Sequence, residues 1–149
     1  MDQLIEKICQ QLIQTVPDDN WSYINYIFRV VSNWSTEEAH YIVADNLYNF
    51  FPSNDLDFFD NTNSNMVKLR KEIYKSNQEK GAFYKSAIRL EKSGKFSISF
   101  DYDLKPDFVF EITDESFIND FKEFPRKAEY IPDWLKEILE RNGVTITTT

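Results

Sequence analysis

Asp101 and Asp103 stand two residues apart on an alternating, strand-like stretch and are the strongest candidates for chemistry in this chain. Two carboxylates on one side of a strand can divide acid and base roles in a hydrolase, provided they sit in a cleft and in unlike environments. Nothing in the surrounding sequence supplies such a cleft. Were hydrolysis the function, turnover would be lost on combining Asp101→Asn with Asp103→Asn. His40 is the only histidine and Cys9 the only cysteine. That excludes a disulfide and a Cys/His zinc site of the usual spacings, and it leaves any nucleophile–histidine pair dependent on His40. Cys9 falls on the apolar stripe of a helix and reads as a small buried thiol. The three glycines, Gly81, Gly94 and Gly143, cannot be arranged into a phosphate-cradling loop. The expectation is a protein that is not an enzyme and uses no metal or cofactor.

The acidic residues suggest a different use. Asp55, Asp57 and Asp60 enclose Phe58 and Phe59, and Asp101, Tyr102, Asp103 and Asp107 lie beside Phe108. Aromatic rings set among carboxylates resemble the anchors of a protein interface facing basic residues, the rings giving contact area and the charges steering. On that reading Asp55, Asp57, Phe58, Asp60, Asp101, Tyr102, Asp103 and Asp107 contact a partner. The alternative is that Phe58 and Phe59 fold back onto the core and the acids are merely solvated. Net charge is −8 and unevenly spread. Residues 66–95 hold nine Lys/Arg against three Asp/Glu, and the remainder eight against twenty-two. An acidic body repels phosphates and disfavours direct nucleic-acid binding, whereas it suits a basic protein. The basic side of residues 66–80 reads as a solvated helix face. No apolar run is long enough to cross a bilayer, and Met-Asp-Gln-Leu-Ile-Glu-Lys lacks the marks of a secretory signal. A cytoplasmic protein that contacts no membrane is expected, its oligomeric state left open.

The elements that position these residues follow from periodicity. Leu4, Ile5, Ile8, Cys9, Leu12, Ile13 and Val16 predict a helix over 2–16, ended by Pro17. Alternation predicts a strand from Trp21 to Asn33, a turn at 33–36, and a less regular strand (or helix) from Glu37 to Tyr48. Residues 52–65 read as an exposed loop. Met66 to Lys80 reads as a helix capped by Ser64 and stopped by Gly81. Residues 83–103 form a hairpin whose register can be derived. A three-residue loop, Lys92-Ser93-Gly94, pairs Leu90 with Phe96, Ile88 with Ile98 and Tyr84 with Tyr102, and gives Gly94 the left-handed position of a turn plus bulge. Ile98→Ala is accordingly expected to cost about 2–5 kcal/mol as a core deletion. A further strand is predicted over Asp107–Thr113. A helix capped by Thr113 and closed by Pro125 comes next, then one opened by Pro132 and stopped at Asn142-Gly143, with Trp134 reading as core and a partner anchor as the alternative. The tail from Val144 is a short strand or frayed. The order α-β-β-α-β-β-β-α-α argues one α+β domain over 1–149, an antiparallel sheet of hairpins packed against helices.

The run Leu90-Glu91-Lys92-Ser93-Gly94-Lys95-Phe96-Ser97-Ile98-Ser99-Phe100-Asp101-Tyr102-Asp103 resembles the YezG-like immunity-protein family. Its pattern is an apolar strand, a Gly turn, Lys-Phe, an alternating strand and Asp-Tyr-Asp. The order of elements is similar over most of the chain, while the motif match covers this stretch. The resemblance implies a cytoplasmic antitoxin that binds and neutralises a cognate secreted or contact-delivered toxin, often a nuclease such as an RNase, by blocking its active site or substrate surface. It implies no catalytic residues, and among motif positions it points to Asp101, Tyr102 and Asp103. A different class of function fits the composition as well, a non-catalytic adaptor or regulatory subunit that docks a host protein through an acidic-aromatic face.

Overall fold

A computed structural model describes residues 1–146. Among these residues four α-helices, α1 (Asp2–Thr15), α2 (Thr62–Ser76), α3 (Asp114–Glu123) and α4 (Asp133–Arg141), accompany five strands, β1 (Tyr23–Val31), β2 (Trp34–Val43), β3 (Asn46–Phe50), β4 (Lys85–Glu91) and β5 (Phe96–Asp101). The strands form one antiparallel sheet in the order β3-β2-β1-β4-β5. This is the α+β class expected.

The derived register holds: Leu90 pairs with Phe96 and Ile88 with Ile98. Gly94 adopts φ +94°, and Glu91 N–H donates to the Lys95 carbonyl at 2.8 Å across the turn. Burial along the hairpin is unequal, however. Ile88 and Leu90 on β4 are buried, Ile98 is only half-buried, and Phe96 is exposed, because β5 is the sheet's edge. The core-deletion cost therefore moves to the inner strand. In urea unfolding Ile88→Ala should lose about 2–5 kcal/mol, and Ile98→Ala no more than about half of that.

Three predicted strands resolve differently. The turn before β2 is Ser32-Asn33, with Ser32 at φ 54°, so Trp34 to Thr36 already belong to β2. The segment Glu37–Tyr48 is two strands. Ala44 and Asp45 both adopt positive φ (48° and 66°) and make a two-residue hairpin whose twist suits the flanking strands. Its poor alternation has a local cause: Glu37 lies on the core side of β2, where its carboxylate accepts hydrogen bonds from the Tyr26 and Thr62 hydroxyls. Asp107–Thr113 is not a strand. It turns away from β5 and packs Phe108 and Ile112 against α3 and α4.

The helices follow the periodicity with shifted ends. The N-cap of α2 is Asn61, whose side chain accepts from Ser64 N–H while the Ser64 hydroxyl accepts from Asn61 N–H, a reciprocal capping box. Ser64 is thus inside the helix, and α2 stops at Ser76 rather than at Gly81. Thr113 caps α3 as predicted, and Pro132 stands just before α4. Val144 and Ile146 pack on α4 without forming a strand, and the rest of the predicted tail lies outside the described residues.

Apolar faces sort into two cores. Ile5, Ile8 and Leu12 of α1 and Met66, Leu69 and Ile73 of α2 cover one face of the sheet through Ile24, Tyr26, Phe28, Ile88 and Leu90. Phe117 of α3 and Leu135, Ile138 and Leu139 of α4 close on Val31 and Tyr84. Cys9 lies in the first core, and burial pushes its thiol up to about 11. Away from α3 and α4 the second sheet face is open, a trough of about 400 Å³ lined by Asn25, Ile27, His40, Ala87, Arg89 and Ser99. Among the described residues no helix is long and apolar enough to cross a membrane.

The two cores are joined by buried ionic groups. Arg70, on the Met66/Leu69/Ile73 stripe of α2, makes a bidentate pair with Asp120 of α3 at 2.7 and 2.9 Å. Arg70 Nε also donates to the Phe83 carbonyl, and Asp120 accepts from Ser32 N–H in the β1–β2 turn, both at 2.7 Å. Arg126 donates to the carbonyls of Ala82, Tyr102 and Tyr130. It runs over Gly81, where an added Cβ would come within 2.4 Å of the arginine Cγ. Gly81 also holds φ +76°, so both space and backbone require glycine there.

Candidate protein-binding surface

The loop between β3 and α2 is built from short-range hydrogen bonds that fix its backbone. Pro52 opens a single 3₁₀ turn over Pro52–Asp55. The Asp57 carboxylate accepts from Phe59 N–H at 3.1 Å, an Asx turn, and Asp60 N–H donates to the Asp57 carbonyl at 3.1 Å. The Asn61 side-chain amide then donates to the carbonyls of Asp57 and Phe58, and the Ser64 hydroxyl to that of Phe59. With those carbonyls held, the rings of Phe58 and Phe59 stand outward. They are 81% and 77% exposed and pack edge-to-face on each other with centroids 5.0 Å apart. They do not fold back onto the core.

The three acids of this loop divide by role. Asp60 anchors the loop: it pairs with Lys7 Nζ at 2.8 Å, accepts from Asn65 Nδ2 at 3.0 Å, and its carbonyl accepts from Gln11 at 3.2 Å. The hydrogen bonds from Lys7 and Asn65 hold its carboxyl below the usual carboxylate range. Asp55 and Asp57 are exposed beside the rings. Exposed aromatic area on a fixed backbone, flanked by two carboxylates, is suited to a protein contact. The ordering entropy of the loop is already met before association.

The second acidic cluster is put to structural use. The Asp101 carboxylate accepts from Asp103 N–H and Leu104 N–H, both at 3.0 Å, which turns the chain out of β5. The Tyr102 carbonyl accepts from Arg126, and its ring packs edge-on to Phe83. The Asp103 carbonyl accepts from Trp134 Nε1 at 2.6 Å, and its carboxylate lies 3.5 Å from Arg126. Trp134 meanwhile packs on Tyr84 and Phe117, facing inward as its spacing predicted. Asp-Tyr-Asp thus joins the sheet to the C-terminal helices. Asp107 is exposed, on a groove of about 480 Å³ lined also by Lys105, Phe108, Phe110, Glu111 and Arg141. The two clusters leave the sheet from opposite edges, β3 and β5.

His40 contacts Asn49 at 2.6 Å on the open sheet face, away from the buried Cys9. Among the described residues no group of three or more His, Cys, Asp or Glu is placed to hold a metal.

Asp114, at the start of α3, closes that helix onto α4. It accepts from Arg141 at 2.6 and 2.7 Å and from Asn142 at 3.0 Å, and these bonds lower its carboxyl to about 2. An unfolded Asp titrates near about 3.9, so the stabilisation is fully present above that pH and fades as pH falls toward 2. The Tm difference between wild type and Asp114→Asn should therefore be constant at neutral pH. It should shrink from about pH 4 downward.

Compared with protein-family models and with curated proteins, the chain matches none.

Proposed function

We propose that this protein is an immunity protein that binds a cognate toxin domain of basic surface inside the producing cell and blocks its active site or substrate surface. Support comes from the hairpin resemblance at residues 90–103 and from the acidic body of the chain. The observation that carries the reading is the loop on which Phe58 and Phe59 stand exposed beside Asp55 and Asp57. Of the eight contact residues read from sequence, the reading centres on this loop: the Asp60 and Asp101 carboxylates and the Tyr102 and Asp103 carbonyls carry hydrogen bonds within the fold, and Asp107 stands exposed at the far edge. A nuclease that binds phosphates offers a basic surface, and carboxylates facing it both speed encounter and compete with the substrate.

Two measurements test the reading. Co-expressed with the toxic polypeptide encoded beside it, the protein should restore growth, and failure to do so removes the proposal. In stopped-flow association with that polypeptide, Asp55→Lys, which leaves the Asp57 turn in place, should slow binding and flatten its salt dependence while the far-UV spectrum stays unchanged. Capture of a housekeeping complex, with no small basic polypeptide, would favour an adaptor instead.

A further inference from the structure

The outer edge of β5 is unusual for a free strand. Natural sheets blunt such edges with lysine, proline or a bulge. Phe96-Ser97-Ile98-Ser99-Phe100-Asp101 has none of these within it, and among the described residues only β4 pairs with it. The opposite edge, β3, is shorter and is followed closely by Pro52.

The ladder phase shows which groups the edge presents. Glu91 N–H donates to the Lys95 carbonyl at 2.8 Å, so in the observed register Lys95, Ser97, Ser99 and Asp101 turn their backbone groups toward β4. By alternation, Phe96, Ile98 and Phe100 turn theirs outward.

We propose that this edge pairs with the same edge of a second copy of the chain, joining two five-stranded sheets into one across a two-fold axis at Ile98. The sequence is self-complementary about that residue. Antiparallel pairing centred there sets Phe96 opposite Phe100 of the second copy and Ile98 opposite its own counterpart, on the face carrying the core. On the other face Ser97 meets Ser99, and Lys95 meets Asp101, an opposite-charge pair formed twice by symmetry. All three outward residues fall in hydrogen-bonded positions in this register. A shift of two residues, centred on Ser99, sets Phe96 against Tyr102, beyond the end of β5. Phe96, exposed in the single chain, becomes covered by the second copy's Phe100. The loop bearing Phe58 and Phe59 follows β3 at the far edge, so the pairing leaves it free.

Sedimentation equilibrium and amide hydrogen exchange on the intact chain test this together. With rising concentration the mass should move from 17.7 kDa toward twice that value. The Phe96, Ile98 and Phe100 amides should become protected in step, while those of Ser97 and Ser99 are protected throughout. Ile98→Pro removes an outward donor without touching the β4 ladder and should give a folded monomer. A mass that stays at one chain up to about 1 mM overturns the proposal. A dimer whose three outward amides exchange freely overturns it as well, as does a folded Ile98→Pro that still dimerises. Should Ile98→Pro not fold, the wild-type exchange pattern decides alone.

Discussion

Asp120→Ala should cost about 3–5 kcal/mol in urea unfolding, a large share of the roughly 5–15 kcal/mol that holds a domain of this size. Arg70 and Asp120 are both almost wholly buried, 2% and 3% exposed at their side chains. Their pair touches four segments at once: α2, α3, the carbonyl ahead of β4 and the turn between β1 and β2. Removing the carboxylate strands a guanidinium in the interior, left with the Phe83 carbonyl at 2.7 Å and the Phe124 ring 4.7 Å away, and it orphans Ser32 N–H. The penalty is mostly that of the uncompensated charge. Replacing both members with apolar residues of similar size, Arg70→Met with Asp120→Leu, should therefore recover most of the loss. If the double substitution proves as unstable as the single one, the bonds to Phe83 and Ser32 matter more than the charge.

Phe58→Ala combined with Phe59→Ala should leave stability within about 0.5 kcal/mol of wild type, because neither ring is packed on the core. Binding to the cognate partner, followed by calorimetry, should weaken by about 2–4 kcal/mol, roughly 30- to 700-fold in Kd. The split between an untouched fold and a collapsed affinity is what marks an anchor. An unchanged Kd would place the interface elsewhere, the groove beside Asp107 being next to test. Charge reversal at Asp55 acts on the approach instead, so its signature is the association rate rather than the lifetime of the complex.

The parts of the fold legible in the sequence are those governed by one strong periodicity. The hairpin register followed from parity plus the need for a left-handed residue at Gly94, and the ends of α3 from Thr113 and Pro125. Errors arose where a tertiary contact overrode the pattern. Glu37 on the core side of β2 spoiled the alternation, and only the Tyr26 and Thr62 hydroxyls, distant in sequence, make that placement acceptable. Ala44-Asp45 lacks the glycine that usually announces a two-residue turn. Asp107–Thr113 alternates like a strand but leaves the edge of β5 unpaired, since Phe108 and Ile112 are held against α3 and α4.

At the candidate site, composition found the acids but could not sort them. Asp60 and Asp55 look alike in sequence, and the bonds from Lys7, Gln11 and Asn65 distinguish anchor from contact, the first from fifty-three residues away. The buried ionic pair had a readable signal that was missed. Arg70 shares the stripe of Met66 and Ile73, and Asp120 that of Phe117 and Phe124, so helical spacing alone places both charges inward.

Arg126 imposes an order of events on a chain made from its N-terminus. The sheet is complete in sequence at Asp101, yet the carbonyls of Ala82 and Tyr102 receive their donor from a residue that leaves the ribosome much later. Until that guanidinium emerges, the hairpin's exit stays wet and its final strand loosely tethered. Nascent chains arrested between residues 101 and 126 should thus be more open at this exit to proteases and chaperones than the finished chain.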